Sequence, residues 1–114
     1  MFVIVVSWLF AKNFRGLAIY PFIFLREKAL KENQKIINHE KIHLRQQIEM
    51  LWIFFFLWYG IEFFVRWIQF KDPLTAYFNI SFEKEAYANE ILPDYLKKRK
   101  IWAFTRYLKS EIKP

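Results

Sequence analysis

Residues 36–47, Ile36-Ile37-Asn38-His39-Glu40-Lys41-Ile42-His43-Leu44-Arg45-Gln46-Gln47, carry the reading that decides the fold. Ile36, Ile37, His39, Ile42, His43, Gln46 and Gln47 recur at helical spacing, with charged residues between them. The pattern predicts a helix from about Glu32 onward. Its two histidines stand four positions apart, one turn along one face, so both imidazoles can reach a single ion. Zinc accepts two histidine nitrogens and one carboxylate while keeping a fourth position for water. Glu40 is displaced ~100° around the axis from His39. That places its carboxylate beside such a water, where it can take the proton as the water attacks a polarised carbonyl. The bland alternative is a solvated helix that merely happens to carry two histidines.

Two imidazoles hold a metal weakly, so another donor is expected downstream. Glu83, in Phe82-Glu83-Lys84-Glu85-Ala86-Tyr87, is the candidate. On a helix Asn79, Glu83, Ala86, Tyr87 and Glu90 share a face. Ala86 has nothing beyond Cβ, which lets this helix approach the histidine helix closely. Glu85 is expected to point away into solvent.

Upstream, Phe2–Phe10 (FVIVVSWLF) is apolar and rich in β-branched and aromatic residues. As a helix it would reach only about half of a ~30 Å hydrocarbon core, so a buried strand is expected. Asn13 to Gly16 reads as a turn, and Leu17–Leu25 as a second strand forming a hairpin with the first. Pro21 removes a ladder donor and suits an edge position.

Downstream, nothing marks a break before Met50–Ile61 (MLWIFFFLWYGI), twelve residues without charge. Glu62 and Arg66 are four apart and could pair on one face, stretching the run to roughly eighteen residues, the lower limit for a membrane span. Trp52, Trp58, Tyr59 and Trp67 are types that collect at headgroup level. The run therefore reads as embedded or interfacial, with a core helix or an oligomer interface as the alternatives. Asp72-Pro73 is a helix start with Asp as N-cap and Pro at the first position, and Asn79 to Ser81 marks a second. Phe82–Ile91 reads as helix ended before Pro93, and Tyr95–Leu108 as a final amphipathic helix.

Together these give a single α+β domain over residues 1–114. A small antiparallel β part (1–30) precedes a predominantly helical body. That body comprises the histidine helix and apolar helix (31–70), the glutamate helix (72–92) and a basic C-terminal helix (94–114).

The composition bounds the chemistry. The chain has 114 residues, is 55% hydrophobic and 25% charged, and so can bury a core. Its 14 Phe, 6 Tyr and 5 Trp are more ring surface than a small soluble core hides, which points to an interface or a membrane. Without cysteine there is no disulfide scaffold, thiolate site or Cys nucleophile, and two glycines leave no phosphate-cradling loop. The net charge of +7 is uneven: residues 96–114 hold seven bases against Glu111 alone, which is +6, leaving +1 for residues 1–95. A basic tail interleaved with Trp102, Phe104 and Tyr107 reads as a solvated terminal helix with charges outward and rings inward, or as a surface for anionic lipid headgroups, with nucleic acid a third reading. No recognisable nucleic-acid fold accompanies it.

The motif HEKIH followed by a helical E-x-x-A resembles the gluzincin clan of zinc metallopeptidases. The likeness is to its minimal single-domain members (minigluzincins) and to membrane-embedded families with an HExxH helix and an E-x-x-A-D helix. It covers roughly residues 17–90. The resemblance implies that His39, His43 and Glu83 bind one Zn2+ and that Glu40 is the general base. It also implies that a peptide or protein substrate adds along an edge strand carrying Ala18, Ile19, Tyr20 and Phe22. Lys41 and Arg45 stand where the clan has uncharged and apolar residues. Tyr87 replaces the Asp that orients a ligand histidine, so Tyr87 or Asn79 becomes the candidate for that task. Tyr77, Tyr87 or Arg45 becomes the candidate oxyanion partner. The expected protein is a zinc-dependent peptidase at or in a membrane, its basic tail on the cytoplasmic side. The alternative is a non-catalytic membrane-associated protein that keeps the fold or a structural zinc. Expected partners are substrate and lipid, not nucleic acid; self-association and a soluble cytoplasmic location are both compatible with the composition.

Overall fold

The computed structural model describes residues 2–9 and 14–108. It has an α+β fold, with a three-stranded sheet at the N-terminus and a helical body behind it. The strands are β1 (Phe2–Val5), β2 (Gly16–Ile19) and β3 (Phe22–Leu25); the helices are α1 (Gln34–Glu49), α2 (Ile53–Phe70), α3 (Pro73–Phe78), α4 (Ser81–Asn89) and α5 (Tyr95–Lys98).

The sheet differs from the expected hairpin. Leu17–Leu25 is not one strand: the chain turns at Tyr20-Pro21, a cis peptide, and β2 folds back antiparallel on β3 with Ala18 opposite Ile23. β1 then pairs parallel with β3, Phe2 opposite Phe22, giving the order β1-β3-β2. Pro21 thus sits in a turn, where its missing N–H costs nothing. β1 was expected to be buried, yet Phe2 is 60% exposed, because α1 packs on β2 and β3 and leaves the outer strand uncovered. Only Val3 of β1 reaches the core. The expected turn at 13–16 begins outside the described residues, as does Phe10, and Gly16 itself is already strand.

Period-two alternation sends Ile23 and Leu25 to the face that α1 covers, where they meet Ala18, Leu30, Ile37 and Leu44. Each fully buried Ile or Leu contributes ~1.5–3 kcal/mol, so α1, more than the short ladder, holds the sheet. Asn33 starts α1 as N-cap, accepting from the Ile36 N–H at 3.2 Å.

The helix expected to continue through the apolar run is broken. Leu51 and Trp52 adopt positive φ (54° and 59°), and α2 restarts at Ile53. The break lets buried Met50 join a second core with Phe55, Ile80, Phe82 and Phe104. Phe82 is its centre, with ring centroids 4.5 Å from Phe55 and 4.4 Å from Phe104.

Glu62 and Arg66 do not pair with one another. The α4 N-terminus has Ile80 at its cap and no side-chain acceptor of its own, so Glu62 supplies one, accepting from Ser81 N at 3.0 Å and from Ser81 Oγ. Arg66 donates to Gln69 Oε1 and to the Leu108 carbonyl. Asp72 caps α3 as expected, accepting from Thr75 N at 2.9 Å, with Pro73 at the first position. The 72–92 stretch is two helices, parted at Asn79–Ile80.

The single helix expected over Tyr95–Leu108 is absent. After α5 the backbone extends at Arg99, turns at Trp102 (φ 60°) and closes as a 3-10 turn over Ala103–Tyr107. Burial of Arg99 and Phe104 overrides the amphipathic pattern there. The last part of the basic tail, residues 109–114, lies outside the described residues.

Candidate metal centre

α1 and α4 pack together and bring His39, His43 and Glu83 to one point, all three buried. Glu83 Oε1 lies 2.9 Å from His43 Nε2 and 3.2 Å from His39 Nε2, and the two Nε2 atoms are 3.2 Å apart. A carboxylate oxygen and two imidazole nitrogens so close together require protons or a cation among them. The other ring nitrogens show which arrangement the site favours. His39 Nδ1 faces Glu90 Oε2 at 2.6 Å, and His43 Nδ1 faces Gln46 Oε1 at 2.8 Å. Both partners are acceptors, so each Nδ1 carries a hydrogen and each Nε2 points at the shared centre, where it holds a proton or, with that proton displaced, offers its lone pair to a metal. This donor set fits a metal ion, and the group could hold one.

The charges agree. Burial opposes charging His39, but hydrogen bonds to Glu83 and Glu90 outweigh it and raise its pKa to about 10. Burial likewise opposes charge on His43, and Glu83 overcomes it and raises that group as well. Burial alone would raise the Glu83 carboxyl; the two histidines hold it far below its ordinary range instead. The site is thus a pocket of strong negative potential that positive charge fills.

Glu40 stands on the next face of α1 and lines a cleft of about 150 Å³ with His39, Gly16, Tyr77, Tyr87 and Glu90. Burial raises its carboxyl, partly offset by His43 and His39. β2 crosses this carboxylate so closely that a Cβ at Gly16 would lie 2.7 Å from Glu40 Oε2. Any larger residue there would displace the Glu40 carboxylate, so the glycine serves that carboxylate's position and makes no demand on φ.

The other expected residues sort themselves by position. Tyr77 donates to Glu83 Oε1 at 3.1 Å, and its oxygen is 3.0 Å from the Tyr87 hydroxyl. Burial raises both phenols, Tyr87 to about 12, so both remain donors at neutral pH. Tyr87 meets His39 edge to face, with centroids 4.4 Å apart, and does not take the Nδ1 hydrogen. Asn79 donates to the Thr75 carbonyl at 2.8 Å, closing α3. Arg45 is exposed on the outer side of α1. Of the expected edge strand, Ala18 and Ile19 are on β2, Tyr20 is in the turn, and Phe22 is on β3, the central strand, where no further strand can add. The Gln47 carboxamide also brackets the outer side of β2, accepting from Tyr20 N at 2.6 Å and donating to Ala18 O at 2.8 Å. The open part of the edge is therefore the Gly16 end, beside Glu40.

Four participants went unassigned in the sequence. Glu90 was legible: it lies seven positions beyond Glu83, on the same face. Gln46 follows His43 by three and was also legible as a neighbour. Tyr59, which donates to Glu83 Oε2 at 2.7 Å, is hidden in an apolar run. Glu85, expected in solvent, is fully buried and paired with Arg99; nothing local signals a partner fourteen residues away.

The chain matches no protein-family model, no curated protein and no solved structure.

Proposed function

We propose that this protein is a zinc-dependent metallopeptidase of gluzincin type acting at or in a membrane. The observation that carries this is the convergence of two imidazole Nε2 atoms and one carboxylate oxygen, with both Nδ1 atoms already engaged. Tetrahedral zinc with ~2.0–2.1 Å bonds sets neighbouring donors ~3.3–3.4 Å apart, and the three atoms here stand 2.9–3.2 Å apart. Zinc, when bound, polarises a carbonyl and acidifies water. The chain's own residues supply the rest. Glu40, its carboxyl raised by burial, takes the proton of the attacking water and can return it to the leaving amine. Gly16 permits that carboxylate to sit under the strand edge, and backbone on the Gly16 side of β2 aligns the peptide. Tyr77 spends its hydrogen on Glu83, so the donor for developing negative charge is the Tyr87 hydroxyl, which lines the same cleft and turns from the Tyr77 oxygen to the substrate.

Membrane association is supported by α2. Its eighteen residues are long and apolar enough to cross a bilayer, and only 11% of it is buried. Phe54, Leu57, Ile61, Phe64, Val65 and Ile68 face outward, while Glu62 and Arg66 are engaged with the body. One feature favours a second reading, a structural metal in a non-catalytic membrane protein: Tyr59 and Tyr77 occupy both oxygens of Glu83.

Metal analysis of protein purified without chelator or added zinc tests the reading. The wild type should carry one zinc per chain. His39→Ala and Glu83→Ala should lose it. Glu40→Gln should keep it and lose peptide hydrolysis. Wild-type protein free of metal would sink the proposal, and full loading with no turnover of any peptide would select the second reading.

A further inference from the structure

Among the described residues of the basic C-terminal run, Lys97, Lys98, Lys100 and Arg106 are exposed, whereas the Arg99 side chain is fully enclosed. Its guanidinium forks between two helices. Nη1 donates to Glu49 Oε2 of α1 at 2.6 Å, Nη2 to Glu85 Oε1 of α4 at 3.1 Å, and Nε to Glu85 Oε2. Tyr95 adds a hydroxyl on Glu85 Oε2 at 2.6 Å, and Trp102 N bonds Glu49 Oε1 at 3.1 Å. The segment from Tyr95 to Trp102 is thereby tied to both helices that carry the metal donors.

The connection continues inward. Gln46 Nε2 donates to Glu85 Oε1 at 2.9 Å and to the Phe82 carbonyl at 3.2 Å, and Gln46 Oε1 faces His43 Nδ1 at 2.8 Å. Glu85, paired with Arg99, and the Phe82 carbonyl offer only acceptors. The Gln46 carboxamide must therefore turn its nitrogen toward them and its oxygen toward His43. That orientation admits only a hydrogen on His43 Nδ1, which leaves Nε2 free as a ligand.

We propose that Arg99 is a positioning residue that fixes the ligating tautomer of His43 through Glu85 and Gln46, making the C-terminal segment part of the metal centre. The inference rests on the reading that His39, His43 and Glu83 hold a metal. A flat guanidinium is suited to the task because it satisfies both carboxylates in one rigid fork, which an ammonium cannot.

The test is a double-mutant cycle on the full chain. Zinc dissociation constants are measured by competition with a chromophoric chelator, and the visible spectrum is recorded on the cobalt-substituted protein. Gln46→Met keeps the Arg99 ion pairs and removes the carboxamide that carries the relay, together with its bond to the Phe82 carbonyl. It and Arg99→Met should each weaken zinc by about tenfold or more and shift the cobalt band. The double variant should bind no more weakly than Gln46→Met alone, and Arg99→Lys should recover part of the loss. Losses that multiply in the double variant, or Gln46→Met within about twofold of wild type, would overturn the relay. If Arg99→Met fails to fold, Gln46→Met decides alone. A wild type that takes up no zinc overturns the metal reading and this inference with it, whereas tight wild-type binding with independent losses overturns only the relay.

Discussion

His39 and His43 hand their Nδ1 hydrogens to different partners, and the difference sets how each responds to change. His43 leans on a neutral carboxamide inside a closed network, and His39 on the Glu90 carboxylate, which is also 3.5 Å from the half-exposed Lys35 ammonium. A carboxylate behind an imidazole both orients the ring and strengthens it as a donor. Glu90→Ala is accordingly expected to weaken zinc by about 10–100-fold, and Glu90→Gln, which keeps an acceptor without the charge, by less. Chelator competition on the two variants checks this, and equal losses would show that charge is irrelevant there. The same residue shows where the sequence misleads. The E-x-x-A spacing directed attention to position 87, where the tyrosine packs on His39 edge to face. The carboxylate comes from one helical turn further on. The histidine pair was legible because one turn of helix is a local property, and Glu83 through the E-x-x-A likeness; which carboxylate lies behind a ring depends on how two helices are staggered.

Among the elements, those bounded by explicit signals came out as read. Asp72-Pro73 opens α3, and α4 begins at Ser81, within the expected Asn79 to Ser81. Unmarked boundaries did not. Leu51 and Trp52 take left-handed φ although neither is glycine or asparagine, so the break between α1 and α2 has no sequence signature. Pro21 was noticed, but its effect was to divide a strand, and the pairing of β1 with β3 is a long-range choice that alternation cannot specify. The Asp72 cap gives a pH prediction. Thr75, through its hydroxyl and its N–H, lowers the Asp72 carboxyl below its ordinary value. A lowered acid stabilises the fold above its unfolded pKa, and that contribution fades as pH falls through the folded pKa. Thermal melts of wild type and Asp72→Asn should therefore differ near neutrality and converge in acid below about pH 4. A gap that persists unchanged at low pH would assign the effect to hydrogen bonding alone.

For the molecule as a whole, the aromatic excess is divided between a true core and an outer coat. Phe55, Phe82 and Phe104 are enclosed, but Phe54, Phe64 and Trp67 of α2 are not. The composition foretold that such a surplus must lie somewhere; it could not say that Phe54, Phe56, Phe64 and Trp67 would line α2 while Phe2, Trp8, Tyr20 and Phe22 lie about the sheet. Leu57→Glu with Phe64→Glu is expected to abolish co-sedimentation with vesicles of zwitterionic and anionic phospholipid. Zinc content should not change, since neither residue touches the metal donors. Unaltered sedimentation would show that α2 serves some other contact.

The two apolar clusters are separate bodies, one built on the sheet and α1, the other on α2, α4 and the C-terminal turn. The histidines stand on α1, which packs on the sheet, and Glu83 on α4, which packs in the second cluster, so an ion bound among them would be a rivet through the seam between α1 and α4. Its binding free energy then adds directly to the cohesion of the molecule. If the site holds an ion, its removal is expected to loosen that seam and to leave the chain more open to degradation.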